Sequence, residues 1–205
     1  IQGYKIVQSG IKVNWSKRLH DLEDPNESYA RLKGRKSSEY QYDVHLNNLC
    51  MMAAAEEGYF PKPSQVYHAV IITMYNETLD VLTPTMESVL ATSYPKDQMI
   101  VVIAYEERGG PDTEKVAKIL EKNYKKKFGG FLLAKHPADI PGEVVGKGGN
   151  ITNAGRALSE YVKERGLRYG DVIVTTLDCD NRPHKCYFDQ VAYEFIVRED
   201  RKRLS

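Results

Sequence analysis

Four short apolar runs, each followed by a helix-like segment, constrain the fold of this chain more than any other feature of its sequence. The first, residues 68–73, is almost entirely apolar and rich in β-branched residues, which is typical of a strand buried on both faces. Similar runs occupy residues 99–104, 131–134 and 171–177. Strands that alternate with helices form a mostly parallel sheet with helices on both faces. The sequence therefore predicts an α/β fold.

The predicted helices follow these strands. Apolar residues spaced three and four apart predict helices at residues 79–92, 112–127, 151–165 and 184–197. In the first of them, Thr83 is the predicted N-cap and Pro84 lies in the predicted first turn.

Residues 1–66 have a different pattern from the rest of the chain. They are polar, they are interrupted at Asp24-Pro25 and at Pro61-Lys62-Pro63, and they contain one predicted helix at residues 39–57. We interpret residues 1–66 as a partly helical N-terminal arm that serves packing or linkage and carries no chemistry of its own. Residues 67–205 then form the second predicted domain.

The composition argues against several classes of protein. Twenty-nine Lys and Arg residues against 28 Asp and Glu residues give a net charge of +1, so no nucleic-acid partner is expected. No apolar run approaches the roughly 18–20 residues that a membrane span requires. Three cysteines are too few for a disulfide framework and favour a reducing, cytoplasmic compartment.

Polar residues follow each predicted strand, at the edge of the sheet where ligands bind in such folds. The first strand leads into Thr73, Tyr75 and Glu77, and the second leads into Glu106 and Glu107. Two further segments, a glycine-rich turn before a predicted helix and the end of the last strand, contribute Lys147, Asn150, Asp178 and Asp180. We expect these side chains to surround one site.

Asp178 and Asp180 form the most specific of these features. Residues i and i+2 of an extended chain point the same way, so both carboxylates can address one hard cation. Mg²⁺ and Mn²⁺ favour oxygen ligands of this kind and complete their shells with waters and substrate phosphates. Such an ion neutralises a diphosphate leaving group. The alternative is an ordinary turn in which an aspartate caps a helix.

The remaining candidates each allow two interpretations. Lys147 lies among glycines, which let backbone N–H groups approach a phosphate, but the spacing is not that of a P-loop and a flexible loop is the alternative. Glu106 and Glu107 are able to accept hydrogen bonds from a nucleobase or a ribose, or they are surface acids at a turn.

Taken together and in this order, the four segments resemble the nucleotide-sugar-binding half of a family 2 glycosyltransferase with a GT-A fold. The resemblance covers about residues 67–197 and includes the segments 73–77 (T-M-Y-N-E) and 147–153 (K-G-G-N-I-T-N), and the D-x-D match at 178–180. Thr73 stands where the family usually has proline, and the glutamates stand where it usually has aspartate. The resemblance implies donor binding by Thr73, Tyr75, Glu77, Glu106, Glu107, Lys147, Asn150 and Asp178, and a Mg²⁺ or Mn²⁺ ion on Asp178 and Asp180.

The resemblance also implies an activity, namely inverting transfer of a sugar from a nucleoside-diphospho-sugar, expected to be a UDP-sugar, to an unidentified acceptor hydroxyl. The general base of this family follows the D-x-D motif at some distance, so we expect it beyond Ser205. We also expect the sheet to be incomplete, and the chain to be part of a longer enzyme attached to the cytosolic face of a membrane. A nucleotidyltransferase and a catalytically silent binding or scaffold domain stay open as alternatives.

Overall fold

A computed structural model describes residues 2–142 and 146–200 of the chain. The chain divides into two compact units. The sheet unit comprises Tyr67–Lys185, and the helical unit combines Ile1–Val66 with Cys186–Ser205. The predicted domain limits, 1–66 and 67–205, stay a prediction. The contacts within the chain assign the segment after Lys185 to the helical unit.

The sheet unit contains a four-stranded parallel sheet, which confirms the predicted α/β fold. Its strands are β1 (Tyr67–Met74), β2 (Met99–Glu106), β3 (Gly130–His136) and β4 (Val172–Asp178), in the spatial order β3-β2-β1-β4. The described helices of the whole chain are α1 (Gln2–Gly10), α2 (Trp15–Asp21), α3 (Pro25–Leu32), α4 (Tyr42–Ala54), α5 (Leu79–Leu90), α6 (Pro111–Tyr124), α7 (Lys147–Glu164) and α8 (Tyr187–Val197). Short 3₁₀ turns occupy Pro63–Gln65, Lys96–Gln98, Glu107–Gly109 and Tyr169–Asp171.

The two central strands are buried on both faces, as their apolar sequences predict. Every residue of β2 is buried, and so is every residue of β1 after Tyr67. Helix α7 covers one face of the sheet. The core on that face is built from small and β-branched side chains together with one stripe of α7, and it comprises Ala69, Ile71, Ile100, Val102, Ala104, Ala134, Ala154, Leu158 and Val162. This packing fixes the position of α7 relative to the ends of the strands.

The predicted N-cap of α5 is wrong, although the predicted start of the helix at residue 79 is right. The helix begins at Leu79 with Thr78 as its N-cap, so Thr83 is not the cap and Pro84 lies inside the helix. Leu82, Met86 and Val89 are all buried at helical spacing, and their burial extends the helix across the proline. The local cost of a missing backbone N–H is thus outweighed by packing.

The helical unit has more helices than the sequence analysis predicts. Besides α4, residues 1–66 contain α1, α2 and α3. Asn14 caps α2 by accepting a hydrogen bond from the Lys17 N–H (3.0 Å), and Asp24 caps α3 by accepting one from the Glu27 N–H (3.0 Å). The Asp24-Pro25 pair, taken as an interruption, is therefore a helix start with proline in its first turn.

Helix α8 lies against α2 within the helical unit. The rings of Trp15 and Tyr193 are 5.4 Å apart between centroids, and the Tyr193 hydroxyl lies 2.9 Å from His45 Nδ1.

Over residues 2–142 and 146–200, the structure contains no helix with the length and apolar character needed to cross a membrane.

Candidate functional site

A cavity of about 520 Å³ opens at the carboxyl-terminal edge of the sheet. The chain runs from β1 through β2 to β3 on one side and then returns to the other side of β1 with β4. The direction of strand order therefore reverses at β1, and in α/β sheets ligands bind at this reversal. Thr73 of β1 and Asp178 of β4 are register partners there, and both line the cavity.

The segment after β1 forms one wall through Tyr75 and Glu77. The Glu77 carboxylate accepts a hydrogen bond from the Tyr75 backbone N–H (2.6 Å), which holds the turn closed. Thr113 of α6 donates its hydroxyl to the Tyr75 carbonyl oxygen (2.8 Å) and so ties this turn to the next helix. The Tyr75 side chain is 48% exposed, so its ring is available to a ligand.

The end of β2 brings Glu106 and not Glu107 to the cavity. Glu106 is buried, and its Oε2 atom accepts hydrogen bonds from Arg108 Nη2 (2.7 Å) and His136 Nδ1 (3.1 Å). Glu107 instead pairs with Lys135 Nζ (2.9 Å), and this hydrogen bond lowers the pKa of the Glu107 carboxyl. Of the two glutamates that the sequence leaves open, only Glu106 lines the described cavity.

Helix α7 begins four residues before the predicted start, at Lys147 instead of residue 151. Gly148 and Gly149 are therefore part of its first turn and not of a loop. The first turn of a helix has unpaired N–H groups and the positive end of the helix dipole, both of which favour an anion. Gly146 and Lys147 line the cavity, so this positive end faces it.

Asn150 lies one turn into α7 and is 2% exposed. Its Nδ2 atom donates a hydrogen bond to the Ala104 carbonyl oxygen of β2 (3.0 Å). Its Oδ1 atom is buried and has no hydrogen-bond partner among the described residues. Asn150 also lines the cavity, where a ligand is able to supply the missing donor.

The end of β4 contributes Asp178, Cys179 and Asp180, which all line the cavity. The Asp178 carboxylate forms an ion pair with the Lys147 ammonium, and each of the two side chains is 52% exposed. Burial and the neighbouring Glu77 raise the pKa of the Cys179 thiol, so it stays protonated at neutral pH. Thr85 of α5 donates to the Cys179 carbonyl oxygen (2.6 Å) and anchors the turn.

The carboxylates that line the cavity fit a divalent ion shared with a substrate. The described residues contain no group of three or more His, Cys, Asp or Glu side chains arranged to hold a metal by themselves. Mg²⁺, however, is commonly held by one or two carboxylates together with waters and substrate phosphates. Asp178 and Asp180 supply that number at the same cavity.

Arg108 is a cavity residue that the sequence analysis does not identify. Arg108 comes directly after the pair Glu106-Glu107. This closeness to two carboxylates is the only signal in the sequence that points to it. The hydrogen bond to Glu106 raises the pKa of the Arg108 guanidinium. Arg108 and Lys147 are the cations among the described lining residues, against the carboxylates of Glu77, Glu106, Asp178 and Asp180.

A scan against protein-family models finds no match to this chain. A search of curated proteins finds no match either.

Proposed function

We propose that the sheet unit binds a nucleoside-diphospho-sugar together with Mg²⁺ or Mn²⁺, as the donor half of an inverting glycosyltransferase of family 2. One observation carries the proposal. Both carboxylates of the D-x-D segment and the lysine at the N-terminus of α7 line a single cavity at the strand-order reversal. An anion-binding helix end beside a carboxylate pair suits a metal-bound diphosphate.

The residues divide the binding between them. Asp178 and Asp180 would hold the divalent ion, which neutralises the negative charge of the departing diphosphate when it is bound. Lys147 and the N–H groups of the first turn of α7 bind phosphate oxygens. Tyr75, half exposed at the cavity wall, contacts the nucleoside.

The reaction proposed for the enzyme is a direct displacement. An acceptor hydroxyl oxygen bonds to the anomeric carbon as the bond from that carbon to the diphosphate oxygen breaks, so the configuration inverts. The hydroxyl proton passes to a general base, and none of the residues discussed above is assigned that role. We also propose that the enzyme uses a UDP-sugar as its donor and that it acts at the cytosolic face of a membrane.

Titration calorimetry of the whole chain with UDP, with UDP-sugars and with nucleoside triphosphates tests the proposal. We expect a diphosphate or diphospho-sugar to bind in millimolar Mn²⁺ and to be lost in chelator. Tighter binding of a triphosphate than of any diphospho-sugar would favour a nucleotidyltransferase. Absence of all nucleotide binding in Mn²⁺ would favour a silent domain.

Asp180→Asn tests the metal ligand directly. We expect Mn²⁺-dependent nucleotide affinity to fall at least tenfold, because one of the two carboxylates for the ion is removed, while the unfolding transition stays unchanged. Asp112→Asn, on an exposed position of α6 outside the cavity, is the matched control. Equal Mn²⁺-dependent affinities for the Asp180 variant and the wild type would contradict the proposed ligand.

A further inference from the structure

Three hydroxyl side chains, on α5 and just after its end, hold the backbone that follows β4. Each donates to a backbone carbonyl oxygen of residues 179–185, in the pairs Thr85–Cys179 (2.6 Å), Ser88–Pro183 (3.0 Å) and Ser93–Lys185 (2.9 Å). Residues 179–185 form neither a helix nor a strand. These side chains therefore supply hydrogen bonds that regular secondary structure would otherwise provide.

Thr85 is the member of this group that lies deepest in the fold. It is fully buried within α5, and its hydroxyl is bonded to the residue between the two carboxylates of the D-x-D segment. A threonine inside a helix often donates its hydroxyl to the carbonyl oxygen four residues earlier. A hydroxyl has one proton to donate, so the bond to Cys179 takes the place of such a bond within α5.

Asp180 lies between two peptide units that are each held in place. The Cys179 carbonyl belongs to the planar unit that joins Cys179 to Asp180, and Thr85 holds its oxygen. The Asn181 N–H belongs to the next planar unit, and it donates to the Asp178 carbonyl oxygen (3.1 Å). The direction of the backbone at Asp180 is thus fixed on both sides.

Helix α5 is itself anchored in the core of the sheet unit. Three of its apolar side chains are fully buried at helical spacing, namely Leu82, Met86 and Val89. Tyr124 of α6 also donates its hydroxyl to the Glu87 carboxylate of α5 (2.6 Å). Because a close-packed interior resists displacement, the core sets the position of the Thr85 hydroxyl.

The rigidity of a carboxylate pair affects which divalent ion it prefers. Mg²⁺ requires near-ideal octahedral geometry with short bonds to oxygen, whereas Ca²⁺ accepts more ligands in flexible arrangements at longer distances. Asp178 and Asp180 are the proposed ligands, together with phosphate oxygens of the donor. A turn that keeps the two carboxylates in one arrangement favours the ion with the stricter geometry, and a looser turn reduces that advantage.

We infer that Thr85 positions Asp180 and thereby gives the proposed donor site its preference for Mg²⁺ over Ca²⁺. Thr85 is not among the described residues that line the cavity, so it acts through the Cys179 carbonyl and touches neither the ion nor the donor. This inference rests on the proposed function. The alternative is that the hydroxyl only satisfies a backbone carbonyl and so supports the fold.

Thr85→Val tests the inference, because it removes the hydroxyl and keeps a branched side chain of similar size. Calorimetry measures the affinity of the whole chain for UDP and for GDP in Mg²⁺, in Ca²⁺ and in Mn²⁺. We expect the wild type to bind UDP or GDP about tenfold tighter in Mg²⁺ than in Ca²⁺, and Thr85→Val to lower this ratio about fivefold. Thr85→Ser keeps the hydroxyl and should retain the wild-type ratio.

Thr92→Val is the matched control. Thr92 is also a buried threonine, but its hydroxyl donates to the Val89 carbonyl oxygen of α5 (2.7 Å). We expect this variant to lower the unfolding temperature and to leave the ratio of affinities unchanged. Amide hydrogen exchange without metal gives a second comparison, and residues 178–181 should exchange faster in Thr85→Val than in the wild type or in Thr92→Val.

Several results would overturn the inference. A wild-type ratio in Thr85→Val, with only the unfolding temperature lowered, would mean that the hydroxyl merely supports the fold. A ratio in Thr85→Ser or Thr92→Val as low as that in Thr85→Val would separate the effect from this hydroxyl. Equal affinities in Mg²⁺ and Ca²⁺ for the wild type, or unchanged exchange of residues 178–181 in Thr85→Val, would also contradict it.

The titrations in Mn²⁺ distinguish failure of this inference from failure of the proposed function. Nucleotide binding that requires Mn²⁺, together with any of the contrary results above, would remove the role of Thr85 and leave the proposed function standing. Absence of all nucleotide binding, or binding that ignores the metal, would contradict the proposed metal site and remove this inference with it.

Discussion

At the scale of single residues, the ion pair between Lys147 and Asp178 has a consequence for ligand binding. The same carboxylate is the proposed metal ligand, so the lysine ammonium and a divalent ion compete for its oxygens. A diphosphate gives the lysine a second anion to bind and so frees the carboxylate for the metal. We therefore expect the metal and the nucleotide to bind with positive coupling, each weakly when alone.

Lys147→Met separates the competition of Lys147 with the metal for Asp178 from the binding of the diphosphate by Lys147. The variant removes the competing cation, so we expect Mn²⁺ without nucleotide to bind several-fold tighter, while the nucleotide in Mn²⁺ binds several-fold more weakly. Calorimetry or the electron paramagnetic resonance signal of free Mn²⁺ measures the first change, and calorimetry measures the second. Lys115→Met on α6, a position outside the cavity, is the control. Two changes of the same sign would contradict the competition.

At the scale of elements, the turn between β2 and α6 is held by a close backbone approach. A Cβ atom on Gly109 would lie 1.9 Å from the Tyr75 carbonyl oxygen and 2.4 Å from Thr113 Oγ1. The carbonyl belongs to backbone that lines the cavity, so it cannot move away without changing the shape of the site.

We expect Gly109→Ala to lower the free energy of unfolding by about 1–3 kcal/mol through this overpacking. The paired control is Gly155→Ala, which lies inside α7 with open space around its Cβ position. That substitution should raise stability by about 0.5–1 kcal/mol, because alanine is the better helix former. Urea unfolding measures both variants, and a neutral or stabilising effect at Gly109 would be evidence against the tight contact.

The sequence predicts the strands better than the helices. The β-branched run of residues 68–73 lies within β1, because burial on both faces leaves a continuous apolar signal. The start of α7 was missed because Gly148 and Gly149 disfavour a helix locally, whereas packing of Leu158 and its neighbours on the sheet extends it. Helices α1 to α3 were missed because their sequences are polar and lack a long apolar stripe.

The residues of the candidate site also divide into those that the sequence predicts and those that it does not. Thr73, Asp178 and the other strand-end residues lie around one cavity because the strands are parallel, a property that the strand–helix alternation predicts. The choice between Glu106 and Glu107 could not be made from sequence, since it depends on where β2 ends and on the contacts with His136 and Lys135. Arg108 was missed for the same reason. Its place at the cavity depends on its hydrogen bond to Glu106, which residue spacing does not encode.

At the scale of the whole molecule, each of the two units contains a buried tyrosine with a raised pKa. Burial and a hydrogen bond to Glu87 raise the pKa of Tyr124 in the sheet unit to about 12. Burial raises the pKa of Tyr193 in the helical unit to about 12 as well. A hydroxyl that ionises at about pH 10 in the unfolded chain but only near 12 in the folded chain stabilises the fold fully below pH 10.

This stabilisation is lost as the pH rises from 10 through 12, because the unfolded chain releases the proton first. We expect the urea midpoint of the wild type to fall more steeply between about pH 9.5 and about pH 11.5 than the urea midpoint of Tyr124→Phe or of Tyr193→Phe. Tyr169→Phe, at a 58% exposed tyrosine, is the control. Parallel pH curves for the Tyr124 and Tyr193 variants and the wild type would rule out these groups as the source.

The stripe of α7 that begins with Asn150 and continues through Ala154, Leu158 and Val162 connects the proposed donor site to the core of the sheet unit. Because Leu158 is buried, we expect a bulkier side chain there to shift α7 and to displace the Asn150 side chain with it. Substitutions in this part of the core are then expected to alter the proposed donor binding as well as the free energy of unfolding. An engineer could then change the affinity for the proposed donor through substitutions in the core, without replacing any residue that lines the cavity.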